Sequence, residues 1–211
     1  TPDGDRPSVF YVNTSELPTR TSVRMTALYL HEAMPGHHLQ AGLAQEDTSL
    51  PPTLRFAWNA GYGEGWALYC EWLGHEMGLY DDPIQHYGQL DMEIFRAVRL
   101  VVDTGLHARG WSRERAVAYM LANTSLERDF IEGEVDRYTV WPGQATAYKI
   151  GEIKLRALRR EAERARVATE GWGARLLALQ ASDGQWDGRP WSHDWKDTFH
   201  VLELLRRFGL D

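Results

Sequence analysis

The stretch "YLHEAMPGHHLQ", residues 29–40, decides how the whole chain is read. It holds a His-Glu pair, then Pro-Gly, then two more histidines. The zinc-hydrolase helix H-E-x-x-H sets its two histidines one turn apart, with the glutamate as base. Here the fourth residue after His31 is Pro35, and the next histidines are His37 and His38. On a straight helix a residue six positions on lies ~9 Å further along and is turned by ~240°, while seven positions restore the face but add ~10.5 Å. An unbroken helix therefore cannot bring either histidine to one metal ion with His31. Pro35 cannot donate to the carbonyl of His31 and disfavours helical angles at Met34, while Gly36 accepts angles that other residues avoid. The pair permits a bulge that swings the following histidine back. His37 is then the better ligand, and His38 points elsewhere, toward an outer carboxylate.

Zinc also needs a third protein ligand and an open position. Glu64 opens the acidic helix "EGWALYCEWLGHEM" (64–77) and suits that role; Glu71, on the same face, is a second-best ligand or an outer partner of the site. His75-Glu76 repeats the His-Glu pair, but no histidine follows it nearby. Glu32, directly after His31, is the expected general base. For stabilising an oxyanion the later sequence offers Tyr148 and His107 first. Asp103, four residues before His107, is placed to orient its ring, and Arg137 and Gln144 flank the "VWPGQ" break (140–144).

Outward from this cluster the sequence reads as helix after helix. Val23, Ala27, Leu30 and Met34 form one stripe behind a cap at Thr21 or Ser22, and "LPPT" (50–53) marks a loop. The helix 64–77 stops at Gly78. Leu90, Ile94, Val98 and Val101 give the apolar stripe of a helix from Pro83 to His107, and Ser112 caps the next. A long Lys/Arg/Glu-rich helix follows the 140–148 break. A Gly/Trp-rich loop over 183–195 then leads to a short final helix, with His200 expected to pack. Only "SVFYVNT" (8–14) has strand character. The expectation is a mainly α, zincin-like single domain over residues 1–211, with at most a short β element near the N-terminus.

The net charge of −7 argues against nucleic-acid or anionic-membrane partners, and Cys70 is alone, so no internal disulfide forms. No apolar run has the length of a membrane span. The chain starts at Thr1 and carries no signal peptide, which reads as a processed or truncated product. The compartment stays open between bacterial cytoplasm and periplasm or exterior, and the oligomeric state is open too.

Four blocks, "HEAMPGHHLQ", "EGWALYCEWLGHEMG", "RLVVDTGLHARGWS" and "VDRYTVWPGQATAYKIG", together resemble a bacterial family catalogued as a domain of unknown function. That family has an HExxPGHHxQ motif and is regarded as a zincin-like metallopeptidase of the gluzincin type. The resemblance implies one Zn2+ ion on His31, His37 and Glu64, Glu32 as catalytic carboxylate, and a peptide or small amide substrate. Family members are usually longer, so this chain corresponds to a C-terminal catalytic part. The expected activity is hydrolysis of peptide bonds. A specialised small-molecule amidase and a non-catalytic metal- or peptide-binding module are the alternatives.

Overall fold

A 3-10 turn at Ser22–Arg24 leads into α1, Met25–Glu32, which buries Ala27 and Leu30 and ends at the Pro-Gly turn. The helices α2 (His37–Glu46), α3 (Pro52–Phe56), α4 (Ala60–Leu73) and α5 (Pro83–Arg109) follow. The remainder is α6 (Arg113–Asn123), α7 (Arg128–Val140), α8 (Gln144–Val167) and α9 (Gly171–Ala178). The computed structural model describes residues 9–14, 22–186, 201–203 and 206. Among them there is no strand, and the fold is mainly α. Residues 9–14 have strand-like composition but no ladder to join, and the Phe10 ring packs on Tyr29 of α1 instead, with centroids 6.3 Å apart. Most of the expected final loop and helix, Thr21 and His200 lie outside the described residues.

The helix ends follow local chemistry. Asp82 accepts a hydrogen bond from the Ile84 amide with Pro83 in the first turn, and Ser112 accepts one from the Arg115 amide, as its position implied. Asn59 caps α4 through the Tyr62 amide, so that helix starts four residues before Glu64. Its regular part ends at Leu73, and the chain then turns to Gly78, whose φ of 68° closes the stop. "LPPT" is not all loop, since Pro52 opens α3.

By chain contacts the molecule divides into two units, residues 1–155 and 156–211. In the first, Phe95, Val98 and Val102 of α5 pack with Met120 of α6 and with Ile131, Val135 and Tyr138 of α7. In the second, Trp186 and Val201 are buried against Leu176 and Leu177.

The face of α5 corrects the sequence reading. Leu90, Ile94 and Val101 are exposed, whereas Phe95, Val98 and Val102 are buried together with Gln89, Asp91, Arg96, Arg99 and Asp103. The periodicity was assigned on the assumption that the apolar side faces inward. Here the helix turns a partly charged side toward the His-Glu cluster, because that cluster contains carboxylates to be neutralised.

Candidate metal centre

The Pro-Gly stretch does not bulge a continuous helix; it ends one helix and starts another. α1 stops at Glu32, the Met34–Pro35 peptide is cis, and His37 is the first residue of α2. Gly36 is required by contact. A Cβ there would lie 1.9 Å from the His31 carbonyl oxygen and 2.3 Å from that of Leu30. Only a residue without a side chain lets the start of α2 sit against the end of α1. Trp66 of α4 fixes the turn by donating its indole N–H to the Pro35 carbonyl at 2.8 Å.

That junction sets the His31 and His37 rings edge to face, with centroids 4.8 Å apart. Glu64 comes from α4. Its Oε2 lies 3.5 Å from His31 Nε2 and 3.2 Å from His37 Nε2. One ligand atom from each of the three residues falls within 4.8 Å of the others. Zinc bonds of 2.0–2.1 Å in a tetrahedron put neighbouring ligand atoms about 3.3 Å apart. The two Nε2–Oε2 distances bracket that edge, and two imidazoles with one carboxylate are the donor types that zinc takes.

The surroundings set the orientation of the donors. Glu71, fully buried, takes the other nitrogen of His31, with Oε1 2.7 Å from Nδ1. A hydrogen on Nδ1 then leaves the Nε2 lone pair facing Glu64 and His37, the usual carboxylate–histidine arrangement behind a metal ligand. Arg96 approaches the same Glu71 oxygen at 3.6 Å. On the other side, the Gln144 amide donates to Glu64 Oε1 at 3.3 Å and to the Tyr148 hydroxyl at 3.2 Å, and accepts from Arg99 at 3.2 Å. The Tyr148 ring stacks on His31 at 5.9 Å, and the Arg99 guanidinium lies 4.2 Å from the centre of the same tyrosine ring. Gln144 and Tyr148 reach this place because α8 crosses α4 on glycines: a Cβ on Gly65 would stand 2.4 Å from the Gly151 Cα.

Burial opposes a charge on His31, but the carboxylates of Glu64 and Glu71 outweigh it and raise its pKa above the ordinary 6.5. Burial likewise pushes Glu64 up, but hydrogen bonds to His31 and His37 hold its pKa well below the ordinary 4.5. The His31 contribution to stability is complete below about pH 6.5 and fades as pH rises through the folded-state value; that of Glu64 is complete above about pH 4.5 and fades only in stronger acid. Zinc binds neutral imidazole, so protons compete with it on the same ring. Calorimetric melting with chelator and with zinc is expected to show the metal-free protein losing stability as pH rises above about 6.5, while the increment from zinc grows in the same direction. An increment that does not vary with pH would exclude His31 as a ligand.

The remaining residues singled out from sequence divide clearly. Glu32 is exposed beside His31, with no hydrogen bond or ion pair of its own among the described residues, and Tyr148, Gln144 and Glu71 surround the triad. His107 does not belong there. Its Nε2 is 2.9 Å from the Tyr138 carbonyl at the end of α7. Nor does Asp103 orient it, because both carboxylate oxygens accept from the Gly143 amide, at 3.1 and 3.2 Å. Asp103 thereby fixes the turn that presents Gln144. The Arg137 fork is taken up by Glu134 of its own helix, and His38 is exposed without a carboxylate partner. The sequence reading missed Arg96 and Arg99, whose signal was two arginines one turn apart beside buried apolar positions. It also missed Trp58, whose ring meets that of His37 edge-on at 5.3 Å. The His75-Glu76 repeat stays apart, with His75 packed on Tyr80 and His86.

A family model described as "Bacterial protein of unknown function (DUF885)" matches residues 1–176. The chain belongs to this family. The fold is shared with a crystal structure from Colwellia psychrerythraea, described as that of a candidate lipoprotein, with a TM-score of 0.77 and 40% identity over 84% of this chain. A second, from Shewanella oneidensis and described as a candidate lipoprotein of unknown function, aligns with a TM-score of 0.62 and 24% identity over 72% of this chain. The matched parts are 30% and 28% of those two proteins, so this chain spans less than a third of either. No curated protein matches it. No helix among the described residues is long and apolar enough to cross a membrane.

Proposed function

We propose that the chain carries the metal centre of a zinc-dependent hydrolase of peptide or other amide bonds. The observation that carries this reading is the meeting of His31, His37 and Glu64 from three helices, with the Glu64 oxygen close to a tetrahedral edge from each histidine nitrogen. Three protein ligands leave a fourth position open, which separates catalytic from closed structural zinc sites. The HExxPGHHxQ resemblance to gluzincin-type peptidases agrees with the same ligand set. The lipoprotein description of the Colwellia relative favours the cell envelope as the setting.

Zinc held there supplies a Lewis acid that lowers the pKa of water toward neutrality and polarises a carbonyl. The chain's own groups do the rest. Glu32, next to a ligand and unrestrained, takes a proton from water and passes it to the leaving amine. The Tyr148 oxygen accepts from Gln144, which leaves its O–H free to donate to a developing oxyanion. Glu71 keeps His31 in the tautomer that presents Nε2.

The first test is zinc per chain in the wild type, His37→Ala and His38→Ala after dialysis against trace zinc. Near-stoichiometric zinc is expected in the wild type and in His38→Ala, and its loss in His37→Ala. A wild type without zinc, or equal retention in His37→Ala, overturns the reading.

A further inference from the structure

We infer that residues 54–62, from the end of α3 to the first turn of α4, form a binding lip for a bulky apolar side chain of the substrate, with the Trp58 indole at its inner edge. This rests on the hydrolase reading above and adds a substrate class to it: amides that carry an aromatic or large aliphatic group close to the bond cleaved.

The lip is apolar and open. Leu54, Phe56, Trp58 and Tyr62 are 62%, 50%, 59% and 60% exposed, four large apolar side chains turned to solvent within nine residues. A cluster of that kind beside a polar centre marks a ligand surface more often than a stability feature. Its one ionic residue, Arg55, donates from Nε to the Gln45 carbonyl at 3.0 Å, with a terminal nitrogen on the same oxygen, and its guanidinium lies 5.2 Å from the centre of the Phe56 ring.

Trp58 joins the lip to the metal ligands on two sides. Its ring meets that of His37 edge-on, with centroids 5.3 Å apart. Its six-membered edge lies against Gly63, the residue before Glu64, where a Cβ would stand 2.3 Å from the indole Cη2. The glycine makes a seat for the indole, so the ring has a defined position although more than half of it meets water. Tyr62 is tied to the same place, since its carbonyl accepts from Gln40 of α2 at 3.4 Å. An indole held next to two ligands and open on its other side can stack on an apolar group of a bound amide.

The test compares two hydroxamates on the zinc-loaded chain by titration calorimetry, acetohydroxamate and a hydroxamate with a benzyl arm. Zinc content and circular dichroism are recorded for each variant. In the wild type the benzyl arm is expected to improve affinity by about tenfold or more, the gain from burying a phenyl group. In Trp58→Ala that gain, measured against acetohydroxamate on the same zinc-loaded variant, is expected to fall to about threefold or less. Tyr62→Ser, at a side chain that is 60% exposed, is the second variant and is expected to lower the gain, referred to acetohydroxamate on the same variant. An equal benzyl gain in the wild type and both variants overturns the lip and leaves the zinc reading standing. Absence of zinc from the wild type overturns both.

Discussion

Replacing Glu32 with Gln is expected to leave zinc at the wild-type level and to lower kcat for amide hydrolysis by about 10²- to 10⁴-fold, the range of a lost general base. The two halves of that expectation have different origins. Zinc is retained because Glu32 is not among the three residues whose donor atoms converge, and its side chain holds none of them in place. Activity is lost because the amide of Gln has nearly the same shape but cannot take up a proton. Glu32 follows His31 directly and is exposed, so its carboxylate is free to meet a water that the buried face of His31 cannot reach. KM is expected to change little, since the lost interaction belongs to the transition state. Loss of zinc in Glu32→Gln would make this carboxylate a ligand and displace Glu64 from that role. An unchanged kcat would remove Glu32 from the mechanism and point to another proton acceptor.

What the sequence disclosed, and what it hid, follows from the range of each interaction. His31, His37 and Glu64 were legible because their signal is local: a helix breaker between two histidines, and an acidic helix a short way on. Ser112 and Gly78 were legible for the same reason, since caps and stops act within one turn. The form of the Pro-Gly break was not. Whether a chain bulges or restarts its helix depends on what the turn meets, and the Trp66 indole that holds Pro35 comes from 31 residues away. Asp103 and His107 invited pairing because four residues along a helix puts side chains side by side. The Gly143 amide, 40 residues on, claims the carboxylate instead.

The arginines of α5 teach the most about that limit. Arg96 and Arg99 sit one turn apart, and each reaches a member of the His31–His37–Glu64 cluster through one intermediary: Arg96 through Glu71 to His31, Arg99 through Gln144 to Glu64. A buried carboxylate without a counter-charge is costly. Two acidic side chains gathered at one site therefore call for cations nearby, and α5 supplies them at the expense of exposing Leu90 and Ile94. Apolar periodicity could not reveal this, because on this helix the electrostatic demand of the site decides which face is buried.

Gly36→Ala is expected to be the most damaging single change outside the ligands themselves. The added methyl would stand 1.9 Å from the carbonyl oxygen of His31 and 2.3 Å from that of Leu30. Both obstacles are backbone at the end of α1, so no side chain can swing aside, and the helices must part. Overpacking of this kind costs roughly 1–3 kcal/mol, and more where backbone must shift. The larger effect falls on the metal. His37 is the next residue, so any opening of the junction carries its Nε2 away from the Glu64 oxygen now 3.2 Å from it. Zinc affinity, measured by competition with a chelator, is expected to fall by about 10- to 100-fold or more, the range for losing the supporting groups of a metal site. Gly42→Ala is the matched control. It lies in the same helix, α2, with nothing within 4 Å of an added Cβ. There the methyl should leave zinc binding unchanged and stabilise the helix by up to about 1 kcal/mol. If Gly36→Ala binds zinc as tightly as Gly42→Ala, the close junction of α1 and α2 is not what assembles the ligands, and His37 loses its claim to be one.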